Sequence, residues 1–421
     1  MSNASSASSA SSATTASSAK LRILDVIHSV NPLFGGPSEG LRNFVAATRA
    51  LGHEQQVLTL DAPGAPWVAD FPAITHAVGP AHGGYGYTPR LLPWLRQHAR
   101  HYDAVIVHGL WQFHGLATRR ALVGGRLPYF VFPHGMLDPW FKRQYPFKHA
   151  KKWLYWSAAE ARVLRDAAAV LFTTQEESRL APQSFPVYRA RHAVLGFGLV
   201  LDAQAQAATA EDFLTRFPAL RGKRLLLFLG RLHAKKGCDL LVQSFCSVAA
   251  SDPSLHLVLA GPDADGVQAQ LQQLAAHAGM SGRITCTGML QGAAKWGALR
   301  AADVFVLPSH QENFGVAVVE ALAMGLPTLL SEQVNIWRDV VAAGAGLAAP
   351  DTLAGTTALL QRWLSLPAAS QAQMRGATVP CFERHFDMRV AAQRLVQLIR
   401  AQPADADPQA NSQPCHTAHP Q

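Results

Sequence analysis

The sequence predicts an α/β chain of two doubly wound domains facing each other across a cleft. Three observations predict it. Short aliphatic runs alternate with longer amphipathic runs along most of the chain, which is the signature of βαβ units and parallel sheets. The alternation runs from residue 21 to residue 173 and restarts near residue 223. The 421 residues leave room for two to three domains, and a chain this long buries a large core without disulfides or metals.

The elements follow in order. Residues 1–19 are almost only Ser, Ala and Thr and read as a low-complexity tail, not a secretory signal, because no basic segment precedes an apolar one. Leu21–Ile27 is the first strand and Ser38–Leu51 the first helix. Glu54–Leu60, Asp103–Val107, Pro128–Phe132 and Ala169–Thr173 are further strands, with a long basic helix over Phe147–Arg165. The Ala/Gln-rich stretch Asp202–Thr209 is a linker. Beyond it, strands are expected at Arg224–Leu229, Leu255–Ala260, Arg283–Thr287, Val304–Leu307 and Thr328–Leu330. The intervening helices are Cys238–Ala250, Val267–Ala278, Ala293–Ala301 and Val316–Met324. The expected units are therefore an N-terminal Rossmann-like domain, 20–198, and a C-terminal one, 199–380, with a second tail at 402–421.

Composition narrows the function classes. Apolar residues are 49% and charged residues 15%, so most of the chain is globular. Mean hydropathy is +0.06, and no stretch is long, apolar and charge-free enough to span a bilayer. Five cysteines without a CxxC pair argue against a disulfide framework or a structural zinc site and for a reducing compartment. Residues 1–198 hold 20 Lys+Arg against 11 Asp+Glu, whereas residues 199–421 hold 17 of each. The whole excess of +9 thus sits in the first half, as an anionic partner of that half would require. Nucleic acid is set aside as that partner, because no recognition motif accompanies the charge.

In open α/β sheets, ligands bind beyond the carboxyl ends of the strands. After the first strand comes GGPSEG, in which Gly35 and Gly36 let backbone amides approach an anion at a helix start. HGLW follows the strand ending at Val107, and PHGM, with His134, follows the strand ending at Phe132. GRLHAKKG, with Arg231 and Lys236, follows Leu229 and leads into a helix, a suitable diphosphate site. The most informative stretch is PSHQENFGVAVVEA, residues 308–321. Glu312 lies in its loop. Glu320 interrupts the apolar pattern of the following helix, and a carboxylate there needs a partner if buried. A ribose diol would supply one, and Glu312 with the amides of Phe314 and Gly315 would suit sugar hydroxyls.

GGPSEG, PHGML, GRLHAKKG and PSHQENFGVAVVEALAMG, in this order over about residues 21–400, resemble retaining glycosyltransferases of family 4 (group 1) with the GT-B fold. HGLW, PHGMLDPW and QVNIW further resemble the bacterial branch that builds exopolysaccharide and lipopolysaccharide. The resemblance implies that Arg231 and Lys236 neutralise the nucleotide diphosphate. It implies that Glu320 binds the ribose, and that Glu312 holds the donor sugar with the backbone of Asn313, Phe314 and Gly315. Gly35 and Gly36 would close over the phosphates, and His134 would contact donor sugar or acceptor beside the reacting carbon. His134, Arg231, Lys236 and Glu312 are thus the expected catalytic group. The C-terminal helix, about 381–401, would pack back on the N-terminal domain.

No metal and no cofactor is expected. Asp263-Ala-Asp265 has the letters of an Asp-x-Asp metal site but sits in a turn. The partners implied are a nucleotide-diphosphate sugar and a glycan or lipid-linked glycan acceptor. Residues 140–165 carry seven Lys and Arg against the single acid Glu160, with Trp140, Trp153, Tyr155 and Trp156 interleaved. That composition suits an anionic inner-membrane surface, and equally an ordinary helix whose aromatics pack inward. The expected location is cytoplasmic, peripheral at the inner face of the plasma membrane. Two other readings stand beside transfer: a nucleotide-sugar epimerase on the same fold, and a non-catalytic carbohydrate-binding protein.

Overall fold

The computed structural model describes residues 19–34, 36–263 and 266–402. The expected tails, Gly35 and Asp265 lie outside them. The first domain is a sheet of seven parallel strands: β1 (Arg22–Ile27), β2 (Glu54–Thr59), β3 (Thr75–Ala77), β4 (Ala104–His108), β5 (Tyr129–Phe132), β6 (Ala169–Phe172) and β7 (His192–Val194). Their order is β3-β2-β1-β4-β5-β6-β7. The second sheet has β8 (Arg224–Leu229), β9 (Leu255–Ala260), β10 (Ile284–Gly288), β11 (Val304–Leu307), β12 (Thr328–Ser331) and β13 (Gly346–Ala349), ordered β10-β9-β8-β11-β12-β13. Both are doubly wound α/β sheets. In each, the order reverses beside the first strand, so the crevice for a ligand opens at the ends of β1/β4 and β8/β11.

The strands form where the sequence is aliphatic on both faces, because helices cover both sides of a parallel sheet. β9 is buried throughout, and β1 is buried but for Arg22. One residue of β1 defies that rule: Asp25, fully buried in a central strand.

Three strands escaped the sequence reading. β3, β7 and β13 are short edge strands, only three to four residues each and partly exposed, too brief for a hydrophobic run to register. The Asp202–Thr209 linker is not plain coil: Asp202 caps a helix, Ala203–Ala207, by accepting from the Ala205 amide at 2.7 Å. The long basic helix is interrupted. It comprises Trp140–Gln144, Pro146–Tyr155, a π-turn at Trp156–Glu160, and Ala161–Asp166. The π-turn swings both Trp156 and Glu160 into the interior. The C-terminal segment is two helices, Ala368–His385 and Met388–Arg400, rather than one over 381–401. The second packs on the helix Gly36–Ala50 of the first domain. Its Arg394 donates to the Leu195 carbonyl at 3.1 Å.

The core is continuous across the domain junction, running from Phe44 and Phe132 through Phe197 to Phe314 and Phe386. Phe197 meets Phe314 edge-on, with ring centroids 5.0 Å apart. Among the described residues no helix is long and apolar enough to cross a membrane.

Candidate functional site

Two walls face each other at the strand ends. On the C-terminal wall, β8 leads into Gly230 and Arg231, and β9 into Gly261. A β-carbon on Gly261 would lie 1.8 Å from the Gly230 carbonyl oxygen, so the two turns cross only because residue 261 has no side chain. Arg231 is exposed at this edge. Lys236 ends a single 3-10 turn ahead of the helix Cys238–Ala249, and its ammonium pairs with the Glu312 carboxylate. Glu312 sits in the loop after β11, which the helix Val316–Ala323 follows. Glu320, on that helix, accepts from Lys295 Nζ at 2.9 Å. Lys295 in turn lies 4.0 Å from the ring centroid of Trp296. Each of the two expected carboxylates therefore has its own ammonium, at the rim of a cleft where the charges are partly shielded from water.

On the N-terminal wall, His134 follows β5 with a left-handed backbone, φ +51°, a conformation that costs a non-glycine residue free energy and clusters at working sites. Its ring stacks on Phe132, 4.6 Å centroid to centroid and 6° between planes. Its Nε2 is 3.0 Å from His108 Nδ1, and His108 Nε2 is 2.8 Å from Asp25 Oδ1. Burial pushes His134 well below the ordinary histidine range, so its imidazole is neutral at neutral pH.

The next residue is held by a second buried carboxylate. Glu177 accepts from the Gly135 amide at 2.7 Å, the Thr173 amide at 2.8 Å and the Thr173 hydroxyl at 2.6 Å. Burial raises its pKa against those hydrogen bonds.

The walls touch at the expected motifs. Asn313 donates to Thr173 Oγ1 at 3.3 Å, and Gln311 donates to Asp138 Oδ2 at 2.7 Å. The Lys235 ammonium lies 5.5 Å from the Trp140 ring centroid. Beside this contact, Phe141, Lys148, Lys152 and Phe185 line a pocket behind Met136. A broader groove of about 700 Å³ opens next to it, between Lys142, Trp153 and Pro186.

The structure thus places Arg231, Lys236, Glu312, Asn313, Gly315 and Glu320 along one wall and brings Asn313 against the loop of His134. The Phe314 ring is buried between Phe197 and Phe386, so only its backbone faces the cleft. Gly36 opens its helix and is exposed, and Gly35 is outside the described residues. Asp263 is a helix cap: its carboxylate accepts from the amides of Val267 and Gln268 at 2.8 and 3.2 Å. No group of three His, Cys, Asp or Glu suited to a metal occurs among the described residues. Sequence reasoning found His108 only as the start of HGLW past a strand end, without its partners, and missed Lys295, Glu177 and Asp25. Of these three only Asp25 left a signal, a lone acid inside an aliphatic strand.

Comparison with known proteins decides the family. The model for "Glycosyl transferases group 1" matches residues 212–377, and that for "Glycosyl transferase 4-like domain" matches residues 35–198. The chain belongs to the group 1 glycosyltransferases. Within that family, the chain is 30% identical over 255 residues to a D-inositol 3-phosphate glycosyltransferase of Geodermatophilus obscurus, covering 55% of this chain and 54% of the relative. It is 28% identical over 243 residues to mannosylfructose-phosphate synthase of Agrobacterium fabrum, covering 54% and 53%. The chain thus spans about half the length of these curated relatives. The likeness in fold extends over more of the chain. HepE of Anabaena, solved in complex with UDP, superposes with a TM-score of 0.71 at 18% identity, over 90% of this chain and 99% of that one. Sucrose-phosphate synthase of Thermosynechococcus elongatus gives 0.67 at 19% identity, over 90% and 98%. At such identities the likeness establishes the GT-B fold.

Proposed function

We propose that this group 1 protein is a retaining, metal-independent glycosyltransferase. It moves a sugar from a nucleotide-diphosphate donor to a glycan or lipid-linked glycan acceptor in bacterial surface or exopolysaccharide synthesis. The observation that carries the donor half is the pair of carboxylate–ammonium contacts, Glu312–Lys236 and Glu320–Lys295. Each carboxylate is paired with and oriented by an ammonium before any ligand arrives. A diphosphate entering beside Arg231 competes for Lys236 and releases Glu312 to the hydroxyls of the sugar. HepE of Anabaena, solved with UDP-glucose, supports a nucleotide-sugar donor.

In the transfer, negative charge grows on the departing phosphate. Arg231, Lys236 and the N-terminus of the helix Cys238–Ala249 are fixed donors for it in a narrow cleft. Retention follows if the acceptor hydroxyl attacks on the leaving-group face and the phosphate takes its proton.

The acceptor half rests on the basic first domain. Phe147 is 91% and Leu154 67% exposed, beside the exposed Lys142, Lys148 and Lys151. Trp156 faces inward at 2%, so this segment divides its aromatics between core and surface. An apolar ridge flanked by lysines suits the face of an anionic membrane, which supports a peripheral location at the cytoplasmic side.

The test is thermal denaturation with UDP-, GDP-, ADP-, TDP- and CMP-sugars in EDTA. A donor at 100 times its Kd adds about 2.7 kcal/mol, a shift of roughly 5–10 °C for domains of this size. The expected result is a shift with one nucleotide family, lost in Glu320→Ala, and sugar transfer that EDTA leaves intact. Transfer abolished by EDTA removes the metal-independent reading. A donor that changes stereochemistry without any acceptor favours an epimerase. Failure to co-sediment with anionic vesicles at low salt removes the membrane role.

A further inference from the structure

Behind His134 lies a line of buried polar groups that donor binding does not use. Asp25 is fully buried in β1, and His108 at the end of β4 is 4% exposed. His108 Nε2 is 2.8 Å from Asp25 Oδ1, and its Nδ1 is 3.0 Å from His134 Nε2. The three rings His108, Phe132 and His134 stack, with the two imidazoles 5.2 Å apart and 20° from parallel. Among the described residues His134 Nδ1 has no hydrogen-bond partner, and the residue is partly exposed.

Each nitrogen of a neutral imidazole is either donor or acceptor, never both. That fixes the sequence of bonds. With Asp25 ionised and His108 neutral, His108 Nε2–H donates to the carboxylate. His108 Nδ1 is then bare and accepts from His134 Nε2–H, which leaves His134 Nδ1 as a lone pair. One added proton, on His108 or on Asp25 Oδ1, reverses the second bond. His108 Nδ1–H then donates to His134 Nε2, and His134 Nδ1 carries the hydrogen.

We propose that Asp25 and His108 are positioning residues that set the hydrogen-bonding character of His134 Nδ1: an acceptor while the buried pair holds one proton, a donor once it holds two. At neutral pH the acceptor form presents a lone pair to a hydroxyl of donor sugar or acceptor. Once the pair has taken up its second proton, the same atom meets that hydroxyl as a donor. This last step rests on the transferase reading; the tautomer itself does not. The other titratable groups against the pair are His114, whose Nε2 is 2.8 Å from the His108 carbonyl, and His28. Burial depresses His114 to about 4 and lowers His28 as well. Burial likewise raises Asp25, which places its proton uptake nearer neutrality.

The experiment is nitrogen NMR of the full-length protein labelled at histidine, with His134 assigned by difference from His134→Gln. No substrate is needed, so a protein that proves not to transfer sugar still gives an answer. At neutral pH, wild-type His134 is expected to be neutral with hydrogen on Nε2, and to move its hydrogen to Nδ1 on acidification. His108→Phe keeps the ring stack and removes both nitrogens, so this pH dependence should vanish. Asp25→Asn should shift the change to lower pH. In turnover, His108→Phe should lower kcat about tenfold or more with donor KM little changed, as loss of the partner of a working histidine does elsewhere. Wild-type His134 carrying hydrogen on Nδ1 at neutral pH overturns the proposal. So does an unchanged His134 titration in His108→Phe.

Discussion

Gly135 and Asn313 lie so close that a β-carbon on Gly135 would stand 2.7 Å from Asn313 Cγ. One belongs to the histidine loop of the first domain, the other to the glutamate loop of the second. Their contact joins the two walls of the cleft. Gly135 also has φ +78°, a conformation that a β-carbon opposes.

Gly135→Ala is therefore expected to fail twice over. The methyl group presses on Asn313, and the backbone is strained. Together these cost about 1–3 kcal/mol, and the cleft is wedged open. Thermal denaturation and steady-state turnover check it. Turnover should fall more than stability explains, and near-normal turnover in a folded variant would show that closure here is unimportant.

Lys295→Met separates charge from packing. The methionine stem still covers Trp296, whereas Glu320 loses the one ammonium that pairs with it among the described residues. A hydrogen bond to a charged group is worth about 1.5–3 kcal/mol. Free Glu320 becomes less ordered, and donor Kd should rise about tenfold with kcat less affected. Calorimetric titration with the preferred donor decides. Tighter binding in the variant would mean that Lys295 competes with the donor for Glu320 rather than holding it ready.

Much of this fold is legible from periodicity because parallel strands buried on both faces read as unbroken aliphatic runs. β8, β9 and β11 occupy the residues that the sequence predicts. The edges are not legible, since β3 and β7 are short and half-wet. The same division holds for the site. Arg231 and His134 stand beside glycines at strand ends, Glu312 lies in the loop after β11, and Glu320 interrupts an apolar helix, so sequence alone singles them out. Lys295 and Glu177 belong to it only through contacts across space, as does the pairing of His108 with Asp25: Lys295 is 25 residues from Glu320, Glu177 is 42 from Gly135, and His108 is 83 from Asp25. No local pattern carries such a pairing. The π-turn at Trp156–Glu160 is also silent, because its cause is the burial of two side chains on one face.

Glu177→Gln tests the carboxylate that ties the histidine loop to β6. An ionised carboxylate accepts all three of its hydrogen bonds. An amide offers one oxygen and turns its NH2 toward Gly135 or Thr173 donors. One buried donor is left unpaired, at about 1–3 kcal/mol. The melting temperature should fall and the His134 loop should loosen, visible as faster hydrogen exchange at Gly135. Unchanged exchange there would mean that β5 alone positions the loop.

Glu160 supplies the clearest pH dependence. It is 1% exposed, and burial pushes its pKa up to about 7 from the ordinary 4.5. The Trp111 amide donates to it at 3.0 Å, which restrains the rise but does not cancel it. An acid with a raised folded-state pKa binds its proton more tightly when folded. The native state is thus favoured at low pH, and that advantage drains away as pH rises from about 4.5 to about 7. Above that range the native state holds an unfavourable buried charge, a penalty on the order of 3 kcal/mol. Glu160→Gln removes the charge while its carbonyl still accepts from Trp111. Chemical denaturation should therefore find the variant more stable than wild type above neutrality and no better in mild acid. A difference that stays constant with pH would mean that Glu160 ionises normally, with Lys152 closer to it in solution than burial alone would suggest.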